Sequence, residues 1–126
     1  SICCGGIIGM GESREDRARM ALELAKIAPD SIPVNILMPI PGTPLENYQR
    51  ISISEALRTI AVFRIANPRA TIRLAAGRES FLGDFMGMAF MAGANAMMIG
   101  GYLTQRGRAV EDDQGLIREV LEAWNG

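Results

Sequence analysis

Two adjacent cysteines, Cys3 and Cys4, open a short apolar segment that runs directly into a glycine-rich stretch. Neighbouring side chains of a β-strand point to opposite faces, so we expect one thiol to face each side. Adjacent cysteines do not form an unstrained disulfide with each other. Reduced thiols are therefore predicted, with at least one as a candidate metal ligand. From these residues alone, two small buried hydrophobic side chains are the simpler interpretation.

Two polar residues interrupt apolar segments further along the chain. Arg73 lies between Ile72 and Leu74, and a charged residue is almost never buried without a partner. Arg73 is therefore expected to meet a carboxylate, a ligand or a metal cluster, unless its strand is exposed at an edge. Asn35 interrupts the second apolar run, and a buried amide without hydrogen bonds costs about 1–3 kcal/mol. Its partner is predicted to be either a neighbouring strand or an amide-like ligand.

The composition excludes several classes of function. The chain contains no histidine, which removes Ser–His hydrolases and histidine zinc sites from consideration. The net charge is −1 and the basic residues are dispersed, so neither nucleic acid nor an anionic membrane is expected as the main partner. No apolar run approaches the roughly 18–20 residues that span a bilayer. Reduced thiols then favour a cytoplasmic protein.

Short apolar runs alternate with longer amphipathic ones in four strand–helix units. This alternation predicts an α/β fold with a parallel sheet, since crossover helices connect parallel strands. We interpret residues 1–126 as one partial-barrel domain, four of the eight units of a (β/α)₈ barrel; an open four-stranded α/β sandwich is the alternative. Strands are expected at 2–8, 32–38, 71–75 and 96–99, and helices at 14–26, from Ser52 or Ser54 to Asn67, from Ser80 to Gly93, and from about Asp113.

The same patterns predict some local detail. The strands are expected to be buried on both faces, because their residues are apolar on both. Ile65 is expected on the buried face of the second helix. Arg78 and Glu79 are predicted to form a solvated or ion-paired loop tip.

Five motifs occur in an order that resembles the biotin synthase family of radical S-adenosylmethionine enzymes. The motifs are CCGGIIGMGE at 3–12, IPVNIL at 32–37, GTPL at 42–45, RLAAGRE at 73–79 and MAGAN at 91–95. The resemblance implies the C-terminal half of a (β/α)₈ barrel. It also implies sulfur insertion into dethiobiotin from a [2Fe–2S] cluster, initiated by a 5′-deoxyadenosyl radical from S-adenosylmethionine at a [4Fe–4S] cluster.

The resemblance also implies roles for individual residues. Cys3 and Arg73 would be ligands of the [2Fe–2S] cluster. Ile7 would pack on the nucleoside of S-adenosylmethionine, and Met38 would line the same pocket. Asn35 would hydrogen-bond the ureido ring of dethiobiotin. No residue is assigned as an acid, base or nucleophile.

The chain departs from the family in what it lacks. The Cys-x₃-Cys-x₂-Cys motif of the [4Fe–4S] cluster is absent from these 126 residues, as are further cysteines for the [2Fe–2S] cluster. The chain also begins without Met, and we interpret it as a C-terminal half whose N-terminal half is absent. Such a fragment is expected to be inactive alone. The alternative is a catalytically silent half-barrel that assembles with itself or another chain. Because unpaired sheet edges invite pairing, we expect a homodimer.

Overall fold

Four parallel strands form one sheet whose spatial order, β1-β2-β3-β4, is also their order along the chain. The computed structural model describes residues 1–101 and 107–126. Each strand pairs with its sequence neighbours, which is the connectivity of consecutive units in a (β/α)₈ barrel. The predicted α/β class is confirmed. The strands are β1 (Gly6–Ile8), β2 (Ser31–Ile36), β3 (Thr71–Leu74) and β4 (Ala96–Met97).

The first strand is shorter than the sequence predicts. Cys3 makes only an isolated bridge to Ser31 before β1 proper begins at Gly6. Pro33, in the middle of β2, has no N–H to donate, so the hydrogen-bond ladder between the two strands is interrupted beside it. The amide of Cys4 still donates to the carbonyl oxygen of Ser31 at 3.0 Å, which keeps the segment aligned with β2.

The helices alternate with the strands, and a serine caps the N-terminus of each of the first two helices. The side chain of Ser13 accepts the amide of Asp16, and the Asp16 carboxylate accepts the amide of Ser13, which forms a capping box. Ser52 caps the second helix in the predicted manner. The helices are α1 (Arg14–Ile27), α2 (Ile53–Ala66), α3 (Arg78–Leu82), α4 (Met86–Met91) and α5 (Val110–Asn125), with a 3₁₀ turn at Gly83–Phe85.

Within residues 1–101 and 107–126, the helices cover one face of the sheet only. The prediction of strands buried on both faces is therefore wrong for the described part of this chain, because alternate strand residues point away from every helix packed on the core. Ile7 is 49% exposed, and Asn35 and Arg73 are half-buried. The core consists of Ile8, Ile32, Val34, Ile36, Ile72 and Leu74 from the sheet and, from the helices, mainly Ala21, Leu24, Ala56, Ile60, Phe63, Leu82, Met86 and Ala89.

Two local predictions about the helices are wrong. Ile65 is 80% exposed, because it lies five residues beyond Ile60, a rotation of roughly 140° from the buried stripe at 100° per residue. The third helix begins at Arg78 rather than Ser80. Gly77 precedes it in the left-handed conformation and turns the chain into the helix without a side-chain cap.

A substitution at Gly77 would show how tightly the chain is packed just beyond the end of β3. Its φ is +86°, and an added Cβ would lie 2.2 Å from the carbonyl oxygen of Ile36. Gly42 is a matched control, since its φ is +81° but no atom lies within 4 Å. We expect Gly42→Ala to lower the free energy of unfolding by about 1–2 kcal/mol, the cost of the left-handed backbone. Gly77→Ala should cost roughly 2 kcal/mol more through overpacking. Equal losses in urea titrations of the two variants would contradict this packing.

Candidate functional site

The register of the sheet brings four of the five predicted site residues to one face. Cys3 pairs with Ser31 and Ile7 pairs with Asn35, and both of these partners belong to β2. Arg73 pairs with Pro33, which lies two residues before Asn35. Paired residues of neighbouring strands point to the same side, and so do residues two apart within a strand. Cys3, Ile7, Asn35 and Arg73 therefore share the face that no helix of the described chain covers, here called the open face.

The two cysteines separate as the sequence predicts. Cys3 is exposed on the open face, whereas Cys4 is partly buried and packs against the core under the helices. With strands about 4.8 Å apart and a rise of about 3.3 Å per residue, the Cα atoms of Cys3 and Arg73 lie roughly 12 Å apart. The long arginine side chain can span much of that distance, so the two residues can reach a common ligand between them.

Arg73 has no protein partner within the described ranges. Its guanidinium makes no hydrogen bond or ion pair there, although the residue is half-buried. The carboxylate predicted as one possible partner is thus not found among these residues. A partly buried cation without a counter-ion is available to bind a group that reaches the open face from outside the chain.

Asn35 is held by main-chain groups of the strands on either side. Its side-chain nitrogen donates to the carbonyl oxygen of Gly6 at 3.3 Å, and its oxygen accepts the amide of Ala76 at 3.1 Å. These bonds fix the amide orientation and satisfy part of its capacity. One N–H and one oxygen lone pair remain for another partner.

Met38 is placed differently from the other four residues. It follows the end of β2 by two positions and is half-buried at the start of the β2–α2 loop. The sheet register therefore does not assign it to the open face. The main chain just before it is anchored, because the amide of Leu37 donates to the carbonyl oxygen of Ile8 at 2.9 Å.

The turn that follows β1 is closed by a carboxylate. The two oxygens of Glu12 accept the amides of Gly9 at 2.8 Å and Met10 at 2.7 Å. Gly11 has a φ of +92°, and an added Cβ would lie 2.7 Å from the ring of Tyr48 in the β2–α2 loop. The glycines of this turn thus allow close approach to the next loop, as their spacing suggests.

A chain of charges connects this turn to α2. Arg17 donates to Glu12 at 2.9 Å and to Glu55 at 2.8 Å, and Glu55 also accepts from Arg14 and Arg58 at 2.6 Å each. Burial opposes ionisation of Glu12, but the Gly9 amide and the Arg17 guanidinium outweigh it and hold the pKa of this carboxyl below its ordinary value. Hydrogen bonds from Arg14 and Arg58 lower the pKa of Glu55 to about 2.

One buried ion pair is missed by the sequence analysis. Arg78 and Asp113 are 1% and 0% exposed and pair through two bonds, Nη1 to Oδ1 at 3.0 Å and Nη2 to Oδ2 at 2.6 Å. The pair fastens the first turn of α5 to the start of α3, directly beyond β3. Its signal was present in the helical periodicity, because Arg78 precedes the buried Leu82 by four residues and Asp113 precedes the partly buried Leu116 by three.

Two kinds of site are not seen among residues 1–101 and 107–126. No three His, Cys, Asp or Glu side chains converge there as a set of metal ligands. No helix in the same ranges has the length and apolar character to cross a membrane.

Comparison with known proteins identifies the family. The model of the biotin and thiamin synthesis associated domain matches residues 33–120. The chain belongs to this family. The matched region contains most of β2, all of β3 and β4, and the helices that follow them as far as residue 120. Cys3 and Ile7 lie before it.

Relatives of the whole chain confirm the resemblance to biotin synthase. The chain is 53% identical over 120 residues to biotin synthase of Aquifex aeolicus, a match over 95% of this chain and 36% of that protein. It is 50% identical over 122 residues to biotin synthase of Thermotoga petrophila, over 96% of this chain and 40% of that protein. The chain therefore spans about two fifths of the length of these curated relatives.

A solved structure supports the fold. Methylornithine synthase superimposes with a TM-score of 0.70 at 24% identity, over 96% of this chain and 39% of that one. At this identity the likeness concerns the fold, and it agrees with four consecutive units of a larger barrel.

The Arg78–Asp113 pair is predicted to be costly to break but replaceable as a unit. Asp113→Asn removes the nearer of the two counter-ions of the buried Arg78 guanidinium, leaving only Glu79 Oε1 at 3.4 Å, and should lower the free energy of unfolding by about 3 kcal/mol. The double variant Arg78→Met with Asp113→Leu should recover part of that loss, because no charge remains between α3 and α5, although Glu79 then loses its contact with Arg78. A denaturant titration of both variants checks this, with Asp112→Asn as an exposed control on the same helix. A single variant as stable as the native chain would contradict the assignment.

The Glu55 network is predicted to weaken in acid. A carboxyl whose pKa is lowered on folding stabilises the native state above its unfolded pKa, near 4.5, and loses that contribution as pH falls toward about 2. Unfolding free energy should therefore fall between these pH values, and Glu55→Gln should flatten the slope. Glu119→Gln, an exposed change on α5, should leave the slope intact. Identical slopes for the native chain and Glu55→Gln would argue against the network.

Proposed function

We propose that this chain is the part of a biotin synthase that lines the substrate side of its barrel and supports sulfur insertion into dethiobiotin. One observation carries the proposal. The sheet register puts Cys3 and the partner-free Arg73 on the same open face, in a chain about half identical to biotin synthases over nearly all its length. A thiolate and an unpaired guanidinium are the two ligand types that the motif resemblance requires there.

The chain's residues fit a [2Fe–2S] cluster in part. Cys3 would supply one thiolate and Arg73 a nitrogen ligand, with further cysteines from outside these residues. When bound, the cluster supplies the sulfur atom, while S-adenosylmethionine at a separate [4Fe–4S] cluster supplies the radical that activates dethiobiotin. An arginine ligand would differ from a thiolate in charge and would thereby change the reduction potential of the cluster.

The other three residues would hold the organic groups. Asn35 keeps one donor and one acceptor, which complement the C=O and N–H groups of a ureido ring. Its two main-chain bonds orient it in advance, which lowers the cost of fixing the substrate. Ile7 offers a half-exposed apolar surface to the nucleoside of S-adenosylmethionine, and Met38 would line the same pocket from the β2–α2 loop.

The open face explains why the chain alone is proposed to be inactive. Radical chemistry needs a site closed to water, and within the described ranges this face has no cover. β1 and β4 are also edge strands of the four-stranded sheet, and unpaired edges invite pairing. The proposal therefore includes an N-terminal half that pairs with these edges and brings the remaining ligands. It further includes a homodimer of the complete enzyme and a cytoplasmic location.

The test replaces the matching part of Aquifex aeolicus biotin synthase with this chain and reconstitutes the hybrid without oxygen. Cys3→Ser should abolish the [2Fe–2S] absorption and biotin formation, because one thiolate is lost. Cys4→Ser is the matched control and should keep both. Arg73→Ala should keep the fold but change the absorption and potential of that cluster, whereas Arg69→Ala, an exposed control, should change neither.

Three outcomes would count against the proposal. A normal [2Fe–2S] spectrum in the Cys3→Ser hybrid would remove Cys3 from the ligand set. Unchanged absorption and redox behaviour in Arg73→Ala would do the same for Arg73. A folded, iron-loaded hybrid that makes no biotin with all native residues would favour the alternative, a catalytically silent half-barrel.

A further inference from the structure

The turn after β1 is connected to α2 by one arginine that is more than nine-tenths buried. The side chain of Arg17 is 7% exposed, and its two terminal nitrogens bind different carboxylates. Nη1 donates to Glu12, which binds the amides of Gly9 and Met10, and Nη2 donates to Glu55 in the first turn of α2.

The turn has little freedom to move without disturbing the neighbouring loop. Ile51 lies 3.7 Å from the Cβ position of Gly9, and Tyr48 lies within 2.7 Å of that of Gly11. Both residues belong to the β2–α2 loop, which also contains Met38. Ile7 lies two residues before the turn, on the open face. One cluster of charges therefore holds together the turn that follows Ile7 and the helix that follows the loop of Met38.

We propose that Arg17 is a positioning residue for the nucleoside end of the S-adenosylmethionine site, acting through Glu12 and Glu55. The inference rests on the proposed function for the identity of the ligand, and on the contacts above for the coupling. A planar guanidinium can bind two carboxylates at once, which a lysine ammonium does with less directional control. Glu55 keeps its bonds from Arg14 and Arg58 when Arg17 is removed, but the connection from Glu12 to Glu55 is lost, and the turn after β1 is no longer fastened to the first turn of α2.

The test uses the same hybrid enzyme with Arg17→Met, and with Arg19→Met as the control. Arg19 lies on the same helix, is exposed, and makes no hydrogen bond or ion pair within the described ranges. Arg17→Met should weaken S-adenosylmethionine binding, measured by equilibrium dialysis, by about tenfold, the scale of one lost charge-assisted hydrogen bond. The [2Fe–2S] absorption should stay unchanged, because neither cluster ligand touches the network. Arg17→Lys should bind with intermediate affinity.

A second measurement does not depend on the ligand. Hydrogen–deuterium exchange of the peptide containing Gly9 and Met10 should be faster in Arg17→Met than in Arg19→Met, because Glu12 is no longer held against those amides. Unchanged exchange in that peptide would overturn the positioning role. Faster exchange with unchanged affinity would overturn it as well, since the turn would then not govern the ligand.

Failure of the inference is distinguishable from failure of the proposed function. If the native hybrid does not bind S-adenosylmethionine at all, the proposed function is wrong and the inference falls with it. If the native hybrid binds and Arg17→Met binds equally well, only the inference is overturned.

Discussion

The structure depends on a parallel sheet whose helices cover one side. Every strand pairs with its neighbours in sequence, and the isolated bridge of Cys3 to Ser31 keeps the same register, so one register relates Cys3 to Arg73. A shift of one residue in any strand would exchange its two faces. It would drive Arg73 or Asn35 into the helix-covered core and bring Leu74 or Val34 to the open face. The apolar residues that fill the core therefore also determine which polar residues meet on the other side.

Charged contacts at the carboxyl ends of the strands complete this arrangement. Glu12 and Arg17 fasten the turn after β1 to α2, and Arg78 fastens the start of α3 to α5 through Asp113. Both sets lie beyond the ends of strands that carry proposed ligands, where loops of an α/β fold position chemistry. A buried ion pair contributes little net stability compared with apolar replacements, but it fixes one geometry between the elements that it connects. We infer that precise placement of these loops is its main effect.

The α/β class and the candidate positions Cys3, Asn35 and Arg73 followed from patterns that have a direct physical cause, whereas Ile7 and Met38 were named only through the family resemblance. Alternation of apolar runs predicted the α/β class, and a lone arginine between Ile72 and Leu74 indicated that this position needs a partner from outside its own strand. The errors have causes in tertiary packing. Apolar type alone suggested that Ile65 is buried, although helical geometry turns it outward. Arg78 was expected in a solvated or ion-paired loop tip; it is ion-paired, but it is buried at the start of α3, because Asp113, which is 35 residues away, supplies a counter-ion. The uncovered face of the sheet was also unpredictable, because apolar strand residues do not reveal whether their cover comes from the same segment of chain.

The central claim is that Cys3 and Arg73 bind one iron–sulfur cluster on the open face. The most direct measurement is an anomalous difference map at the iron absorption edge, from crystals of the oxygen-free hybrid with Aquifex aeolicus biotin synthase. The account predicts iron peaks between these two residues, within bonding distance of the Cys3 Sγ and of a guanidinium nitrogen of Arg73. Iron found only at the distant cysteine motif of the other half, with Cys3 and Arg73 unliganded, would contradict it.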